Sequence, residues 1–506
     1  MCCIGRQENR YIREFVEYYK NLGVDKIFLY DNNYDDEEHF EDVINDYIEN
    51  GFVEITDFRN KSICQLEAYQ DCYDRRSKEY DWICFFDIDE FLEFSDSNDI
   101  KTFLSDEKFT SFDMIHVNEL IYGDSNLVKY ENKKVVERFI KPVQPIDFKK
   151  TYDFPENCHI KSIVRGNLTS IKWIATPHTP IGVNSCCSTN GEVVNSNSPF
   201  VIPFTLDNAK LKHYNTKTID EFLTNKVKRG YPDGNKDFFK KNNWILDFFK
   251  ENEITEEKIK FINEYENRKY SKKISVIVPC FNQNKYIKET LNSLKASTYN
   301  DWECVIVNDG STDNSEDIIF SCIENDNRFK YIKQKNKGVG SARNLGISKS
   351  NGRYILCLDS DDKISNTYIE RGIEYLDSNP ICSIYYGNAK MFYDDGSQNT
   401  WNLPLFNYKT LLLSNMIYCS CIYRRSDFER IGGYDETMNG YEDWEFIIRL
   451  LYNNNNVYKT DDIVFFYRRH EGSRDSEAVK SIDFYKSYII NKNIDIYSKY
   501  YKIIKG

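Results

Sequence analysis

The sequence is 506 residues long, with 41% hydrophobic and 15% aromatic residues and a formal net charge of −13. The length exceeds that of one ordinary core and indicates about two to four domains, and the apolar content excludes a disordered chain. The excess of negative charge argues against a nucleic-acid partner, because no overall basic field would attract a phosphate backbone.

The cysteines and the hydropathy pattern indicate a reducing cellular compartment. The chain has 15 cysteines, and Cys84, Cys304 and Cys357 lie inside apolar runs, where a free thiol behaves as a small hydrophobe. No signal peptide is visible, and no apolar run approaches the roughly 18 residues of a membrane span. We therefore predict a cytoplasmic protein, with the inner face of the membrane as an alternative location.

The first part of the chain alternates helix and strand patterns. The stretch YIREFVEYYKNLG has apolar residues on one helical face, namely Ile12, Phe15, Val16 and Tyr19. The short apolar runs KIFLY and WICFF then end in aspartates, at Asp31 and Asp87. Short apolar strands between amphipathic helices predict an α/β fold with a largely parallel sheet, whose ligands bind beyond the carboxyl ends of the strands.

The same pattern restarts at Lys273. ISVIV predicts a strand, and YIKETLNSLKAS predicts a helix with Ile287, Leu291 and Leu294 on one face. The strands ECVIV and RYILCL then end in the acidic turns NDGSTD and DSDD. The second half of the chain is therefore predicted to repeat the α/β architecture of the first.

The pattern predicts two domains, residues 1–235 and 273–475. Residues 236–272 are charged and have a helical pattern, so we interpret them as a connector. Residues 476–506 predict a final helix that mixes tyrosine and isoleucine with lysine. We expect this helix to dock on the second domain, and its composition makes peripheral contact with a membrane surface the alternative.

Acidic residues end equivalent strands in the two halves. Asp31 corresponds to Asp309 and Asp87 to Asp359, which is a weak internal repeat at the scale of a domain. A D-x-D pair at a strand end suits a hard divalent cation such as magnesium or manganese, and it also suits an aspartyl nucleophile. The alternative is that acids end a strand and cap the next helix. Two equivalent pairs favour a functional interpretation.

Five motifs in the second half resemble family 2 glycosyltransferases, which have the GT-A fold. In order they are ISVIVPCFNQNKYIKETLNSL, VIVNDGSTDNS, NKGVGSARNLGISKSNGRYILCLDSDD, GYEDWEF and YRRHEGS. The resemblance covers about residues 273–475. It assigns Pro279, Phe281, Asp309, Asn336 and Arg343 to the nucleotide sugar, Asp359, Asp361 and His470 to a metal, and Asp443 to the general base. Phe281 departs from the family pattern, which often has tyrosine there.

These residue types suit sugar transfer from a nucleoside diphosphate. The departing diphosphate carries negative charge that a metal on Asp359 and Asp361 can neutralise. The acceptor hydroxyl has a high pKa, so Asp443 would take its proton, and direct displacement with one base predicts inversion at the sugar carbon. The alternatives are that Glu442 and Asp443 are first-turn acids favoured by the helix dipole, and that His470 is a surface histidine.

The first half resembles family 92 glycosyltransferases and related bacterial proteins that are similar to family 2. The resemblance is carried by CIGRQENRYIREFVEYYKNLGVDKIFLYDNN, DWICFFDIDEFLEF, VVERF and LKHYNTKTIDEFLTNKVKRG. It covers about residues 1–245. It assigns Glu8 and Asp31 to the nucleotide site, and Asp87, Asp89 and His213 to a metal. No clear base is visible, and Glu119 and Asp124 are candidates.

Together, the resemblances imply a hexosyltransferase with two GT-A type, Rossmann-like domains that each use manganese or magnesium. The implied partners are a nucleoside-diphosphate sugar, with UDP-sugars first, and a glycan or lipid-linked glycan acceptor of a surface polysaccharide. Two sequential transfers would explain two different domains on one chain. One alternative is that the first domain only binds or positions glycan. A lesser alternative is a D-x-D phosphatase, which the residues Glu90-Phe91 and Asp362-Lys363 after the pairs disfavour.

Overall fold

A computed structural model describes residues 1–97, 99–143, 159–195, 198–200, 205–230, 243–470 and 481–501. The chain divides into two compact units. Met1–Phe239 and Asp247–Ile254 form the N-terminal unit, and Lys240–Leu246 and Thr255–Gly506 form the C-terminal unit. The segment 236–272, predicted as a connector, thus contributes residues to both units.

The N-terminal unit contains one mixed sheet with helices. Its strands are β1 (Cys2–Gly5), β2 (Ile27–Asp31), β3 (Val53–Asp57), β4 (Trp82–Phe85), β5 (Glu90–Phe94), β6 (Met114–Ile121), β7 (Ile160–Arg165), β8 (Cys186–Ser188) and β9 (Ala209–His213). Its helices are Asn9–Asn21, Glu41–Glu49, Gln65–Arg76, Ile100–Leu104, Val135–Arg138 and Ile219–Glu221, with a 3₁₀ turn at Glu107–Phe109 and a π-helical turn at Phe222–Val227. The helix Trp244–Phe249 follows.

The C-terminal unit is built in the same way. Its strands are β10 (Lys272–Cys280), β11 (Trp302–Asn308), β12 (Phe329–Lys333), β13 (Gly352–Cys357), β14 (Lys363–Ile364), β15 (Ile384–Tyr393), β16 (Gln398–Trp401), β17 (Ile422–Arg424) and β18 (Val457–Arg469). Its helices are Glu256–Asn267, Ile287–Lys295, Ser315–Ile323, Val339–Ser348, Tyr368–Ser378, Tyr408–Leu411, Arg425–Ile431, Glu442–Leu450, Ile482–Lys492 and Ile494–Tyr500.

The two sheets have the same strand order. In the described residues the first runs β3-β2-β1-β4-β7-β6-β9-β5, and the second runs β12-β11-β10-β13-β17-β15-β18-β14. Corresponding neighbours also run in the same relative directions: four parallel strands come first, and the next strand, β7 or β17, is antiparallel to its neighbours. The internal repeat predicted from the acidic strand ends is therefore a repeat of the whole sheet.

The helical periodicities are confirmed by burial. In the helix Asn9–Asn21 the buried residues are Tyr11, Ile12, Phe15, Val16 and Tyr19. In the helix Ile287–Lys295 the predicted apolar face is completely buried, at Ile287, Leu291 and Leu294. These faces cover the sheets because an apolar stripe with a period near 3.6 residues packs on a sheet along one side of the helix.

The topology brings the D-x-D pairs to the carboxyl ends of the parallel strands. Asp87 follows the last residue of β4 by two positions, and Asp359 follows the last residue of β13 by two positions. Each of these strands lies next to the first strand of its unit, β1 or β10. Among the described residues, no helix has the length and apolarity needed to cross a bilayer. The described cysteines are free thiols, and all except Cys419 are buried.

Candidate active sites

In the C-terminal unit the second aspartate of the D-x-D pair faces a histidine that directly follows β18. The Nε2 atom of His470 lies 3.2 Å from Oδ2 of Asp361. Only 14% of the His470 side chain and 21% of the Asp361 side chain are exposed, and the His470 ring lies 4.9 Å from the ring of Tyr286. This geometry does not match the alternative of a surface histidine. Burial and the charge of Asp359 raise the pKa of Asp361.

The first aspartate of this pair is held by a buried arginine. Arg343, from the helix Val339–Ser348, donates to Oδ1 of Asp359 and to Oε1 of Glu442, both at 2.8 Å. Burial would lower the pKa of Arg343, but the carboxylates, with Asp359 first, raise it well above the usual value. Arg343 was predicted to bind the nucleotide or its phosphates. The structure places it where it joins the D-x-D turn to the helix Glu442–Leu450.

Asp443 lies in the first turn of the helix Glu442–Leu450 and is half-buried. Its Oδ2 accepts from the Asn415 amide at 3.3 Å, and its Oδ1 accepts from the Trp444 backbone N–H at 2.8 Å. The Cys419 thiol donates to Oδ2 of Asp359 at 3.4 Å, and burial, with the charges of Asp359 and Asp443, raises the pKa of that thiol. Tyr441, just before the helix, has a left-handed φ of 57°, a strained conformation that is common at functional sites.

The other predicted nucleotide residues follow two neighbouring parallel strands. Pro279 is in β10, and Phe281 follows that strand with 43% of its surface exposed. Asp309 follows β11 and accepts from the backbone N–H groups of Lys337 and Gly338, each at 2.9 Å. The exposed Asn336 belongs to the same loop as those two residues. The exposed ring of Phe281 is able to stack on a base, whereas Asp309 fixes the loop.

In the N-terminal unit the second aspartate again faces a late histidine. The Nε2 atom of His213 lies 3.7 Å from Oδ1 of Asp89, and its Nδ1 lies 2.9 Å from Oε2 of Glu119. His213 ends β9, between β5 and β6, and pairs with Glu90 across the ladder. Burial would raise the pKa of Asp89, but His213 and Lys217 outweigh it and lower that pKa well below its usual range. Burial would likewise lower the pKa of His213, but Asp89 and Glu119 raise it.

Asp87 is held by donors that the sequence did not reveal. It accepts from Gln65 at 2.8 Å, from Tyr69 at 3.0 Å and from the Lys161 ammonium at 2.6 Å. Lys161 is buried in β7 and also lies 3.4 Å from Oε1 of Glu90. Burial, with the charges of Asp87 and Glu119, raises the pKa of Glu90 to about 8. A lysine thus stands beside the first aspartate here, where the C-terminal unit has an arginine.

A second group of possible ligands lies beside this lysine. Glu90, Glu119 and His213 each place one possible ligand atom within 4.8 Å of the others. The ammonium of Lys161, which pairs with Glu90, opposes a further cation at that point. Asp89 also has an ammonium nearby, since Lys217 lies 3.8 Å from its Oδ2. The pair Asp89 and His213 is distinguished instead by its match to the pair Asp361 and His470 of the other unit.

The predicted nucleotide residues of this unit are both buried and paired. Asp31 ends β2 and accepts from Arg59 at 2.7 Å and from the Asn33 side chain at 2.7 Å. Oε1 of Glu8 accepts from Arg229 at 2.6 Å, while its Oε2 is buried without a hydrogen bond. Asp31 thus fixes the loop that follows β2, and Glu8 joins the start of the helix Asn9–Asn21 to Arg229.

The N-terminal D-x-D pair, Glu119 and His213 line a cavity of about 500 Å³. Its acidic lining includes Asp87, Asp89 and Glu119, and its basic lining includes Lys226 and Arg229. Lys226 comes from the π-helical turn Phe222–Val227, a rare conformation that is frequent at functional sites. Burial lowers the pKa of Lys226 to about 8. The sequence could have predicted this basic wall only from the cluster of positive charges in TNKVKRG, which contains Lys226 and Arg229.

The two candidate bases of the N-terminal unit have other partners. Glu119 is buried and holds His213; burial would raise the pKa of Glu119, but His213 lowers it to about 2, which makes this carboxylate a weak base. Asp124 is buried, and its Oδ1 accepts from the backbone N–H of Asn126 at 2.9 Å. The geometry therefore singles out neither residue as a general base.

Comparison with known proteins identifies both halves. Residues 1–226 match the family model described as Glycosyltransferase family 92, and residues 275–432 match the one described as Glycosyl transferase family 2. The chain carries two glycosyltransferase domains, one of each family. Both glycosyltransferase domains are of the α/β class with the GT-A type fold, and the phosphatase alternative has no support from either family match.

Several bacterial glycosyltransferases are similar to parts of the chain. Glycosyltransferase GlyA of Streptococcus pneumoniae serotype 4 is 40% identical over 127 residues, which are 24% of this chain and 18% of that protein. The uncharacterized glycosyltransferase EpsJ of Bacillus subtilis is 30% identical over 217 residues, or 40% of this chain and 62% of that protein. The chain thus spans less than two thirds of the length of either relative.

Two solved structures are also similar to part of the chain. Staphylococcus aureus TarS 1-349, in complex with UDP-GlcNAc, is 25% identical, with a TM-score of 0.36 over 41% of this chain and 61% of that one. The mannosyltransferase PcManGT of Pyrobaculum calidifontis, in complex with GDP-Man and Mn²⁺, is 15% identical, with a TM-score of 0.35 over 44% of this chain and 68% of that one.

Proposed function

We propose that the chain transfers sugars from nucleoside-diphosphate sugars, with UDP-sugars as donors, to a growing surface glycan such as lipopolysaccharide or capsule. The supporting observation is the repeated pair of a second D-x-D aspartate and a late histidine. The two side chains are 3.2 Å apart in the C-terminal unit and 3.7 Å apart in the N-terminal unit. Two equivalent pairs support activity in both units, and therefore two sequential transfers.

Both pairs have donor atoms that fit a divalent cation. A carboxylate oxygen and an imidazole nitrogen suit manganese, and carboxylates alone suit magnesium. Asp361 with His470, and Asp89 with His213, would hold the ion. A cation bound there would neutralise charge on the departing nucleoside diphosphate. The first aspartates, Asp359 and Asp87, bind cationic side chains in this structure and stay predicted ligands.

In the C-terminal unit, Asp443 would take the proton of the acceptor hydroxyl as its oxygen attacks the sugar carbon. The hydrogen bonds from Asn415 and from the Trp444 backbone fix the carboxylate. One base and one direct displacement give an inverted anomeric centre. The Phe281 ring would stack on the nucleobase, and Arg343 would hold Asp359 in place at the metal end of the site.

In the N-terminal unit, the donor diphosphate would lie in the cavity between the acidic residues and the basic wall. Lys226 and Arg229, which also line this cavity, would bind its oxygens. A specific observation also favours the second candidate, a domain that binds glycan or positions the acceptor. Neither candidate base is well suited to that role: His213 lowers the pKa of Glu119 to about 2, and Asp124 accepts from the backbone of Asn126.

The function of the C-terminal unit is tested with a panel of sugar nucleotides and the full chain carrying Asp89→Asn, which removes the contribution of the N-terminal pair. We expect Asp443→Asn to lower turnover about 10²–10⁴-fold while nucleotide affinity stays near that of this parent. Asp361→Asn, or excess chelator, should abolish turnover. Asp317→Asn is a matched control, because Asp317 is an exposed acid in the first turn of another helix. If Asp443→Asn keeps more than about a tenth of the parent turnover, the base lies elsewhere.

A further inference from the structure

The C-terminal helix Ile482–Lys492 packs on the C-terminal unit, beyond the residues that match the family 2 model. Ile489 is completely buried in the core of that unit. The next helix, Ile494–Tyr500, adds the buried Tyr497, whose hydroxyl donates to the Leu412 carbonyl at 2.8 Å. These contacts show that the final helices are part of the domain that carries Asp443.

Lys492 ends the helix Ile482–Lys492 and forms ion pairs with two acids, one before and one after Asp443 in sequence. Its ammonium lies 2.5 Å from Oδ2 of Asp435 and 3.1 Å from Oε1 of Glu445. Only 8% of the Asp435 side chain and none of the Glu445 side chain are exposed. Tyr488, one turn earlier on the same helix, also donates to Asp435, at 3.0 Å.

The two acids bracket Asp443 in sequence. Asp435 belongs to the loop 432–441 that leads into the helix Glu442–Leu450, and Glu445 lies in the first turn of that helix. Glu445 also binds Arg449, which donates to the Gly433 carbonyl at the start of the loop at 2.7 Å. One ammonium therefore ties the loop and the helix together on both sides of Asp443.

The same loop is also tied to the helix that carries Arg343. The Asn344 amide donates to the Tyr434 carbonyl at 2.9 Å, and its oxygen accepts from the Tyr434 backbone N–H at 2.9 Å. At Gly340, a Cβ atom would come within 2.9 Å of the Asp435 carbonyl oxygen. The loop is thus held by contacts with the helix Val339–Ser348 on one side and with the C-terminal helix on the other. Loss of either set of contacts would change the position of Asp443 relative to the D-x-D turn.

We propose that Lys492 is a positioning residue that sets the place of Asp443 through Asp435 and Glu445. The inference rests on the proposed role of Asp443 as general base. Without the ammonium, two acids that share one cation repel each other, and the loop loses its contact with the C-terminal helix. The base would then sit away from its working position, and misplacement of a reacting group by about 1 Å costs up to roughly 100-fold in rate.

The test compares Lys492→Met with Lys492→Arg and with Lys486→Met in an Asp89→Asn background, which silences the N-terminal D-x-D pair. Lys486 lies on the same helix, and in the described residues its ammonium makes no ion pair. The probe is the sugar nucleotide, from UDP-glucose, UDP-galactose and UDP-N-acetylglucosamine, that the parent hydrolyses fastest. The measured quantities are kcat and KM for hydrolysis, and UDP affinity by calorimetric titration.

We expect Lys492→Met to lower kcat about 10–100-fold with changes below about threefold in KM and UDP affinity. Lys492→Arg should recover most of kcat because it keeps the charge, and Lys486→Met should match the parent. Equal losses in kcat and UDP affinity, or an unchanged kcat, would overturn the inference. If Lys492→Met does not fold, a kcat of Lys492→Arg below a tenth of the parent value would also overturn it.

Asp443→Asn in the same background separates the inference from the proposed function. If Asp443→Asn lowers kcat and Lys492→Met does not, only the positioning role fails. If Asp443→Asn leaves kcat unchanged, or if the parent hydrolyses none of the three donors, the proposed function of this site fails with it. Hydrogen exchange of residues 432–441 gives a second readout, since we expect faster exchange in Lys492→Met than in Lys486→Met.

Discussion

The decisive single residues in both units are charged side chains that are buried and specifically paired. Arg343 and Lys161 each hold the first aspartate of a D-x-D pair, although one comes from a helix and the other from a strand. Burial of such a cation is tolerated because carboxylates lie within hydrogen-bonding distance. The electrostatic balance of each site therefore depends on residues distant in sequence.

Glu119 allows a prediction at the level of one side chain. In an Asp361→Asn background, Glu119→Gln should weaken manganese binding about 10–100-fold, because the carboxylate at 2.9 Å orients the His213 ring and raises its basicity. Manganese titration followed by electron paramagnetic resonance measures the affinity. Glu93→Gln, on β5 beside Lys210 and Lys212, is the matched control. Equal affinities in the two variants would show that Glu119 does not support a metal ligand.

His116 gives a prediction for pH. It is 1% exposed in β6, and burial lowers its pKa to about 4. Between about pH 6.5 and 4 this histidine binds a proton in the unfolded chain but not in the folded chain. Its contribution to the free energy of unfolding is therefore complete above pH 6.5 and is lost as the pH falls toward 4. We expect this residue to cost the N-terminal unit about 3 kcal/mol at pH 4 relative to pH 7.

The measurement is urea unfolding of the wild type and of His116→Leu at several pH values. The stability of the variant relative to the wild type should rise as the pH falls from 6.5 toward 4. His39→Leu serves as the control, because His39 is only half-buried. A wild-type to His116→Leu difference that is the same at pH 7 and pH 4.5 would contradict the assignment.

At the scale of elements, one buried ion pair joins three segments around the N-terminal site. Arg138 makes two hydrogen bonds to Glu221, at 2.8 and 2.9 Å, and both side chains are 1% exposed. Tyr11, from the helix Asn9–Asn21, also donates to Glu221, at 2.7 Å. Thr218 and Glu221 form a capping box that starts the segment leading to Lys226. This pair thus holds the basic wall of the cavity in place.

We therefore expect Arg138→Met to destabilise the N-terminal unit by about 3–5 kcal/mol, because it leaves Glu221 buried without its cation. The double variant Arg138→Met with Glu221→Leu should recover part of that loss, since no uncompensated charge is left. Urea unfolding at pH 7 measures both effects. If the double variant is less stable than Arg138→Met, the ion pair is not the main reason for the loss.

At the scale of the whole molecule, two domains of different families favour two different donors. We expect Asp89→Asn alone and Asp361→Asn alone to stop the glycan at two different lengths, because each blocks one of two sequential transfers. Mixing the two variants should restore the full product more slowly than wild type, since an intermediate must pass between molecules. Mass spectrometry of the products checks both statements. If both variants stop at the same length, or Asp89→Asn changes nothing, the N-terminal domain is a binding or positioning module.

Much of the fold was predictable, because its signals are local. Apolar periodicity gave the faces of the helices Asn9–Asn21 and Ile287–Lys295, and the abrupt acidic ends of apolar runs gave the strand ends at both D-x-D pairs. The segment 236–272 was less predictable. Its helical pattern is correct for Glu256–Asn267, but which unit each part packs on depends on contacts with distant residues.

The sequence by itself determined the two α/β halves and their families, because periodicity and motif order are properties of neighbouring residues. Only the tertiary structure decided which charges meet. Lys161 reaches Asp87 across 74 residues of chain, because β7 pairs antiparallel to β4, and Lys492 reaches Asp435 across 57 residues, because the last helices dock on the second unit. Such pairs leave no periodic signal, since a single lysine in a strand or helix looks the same whether it faces solvent or a buried carboxylate.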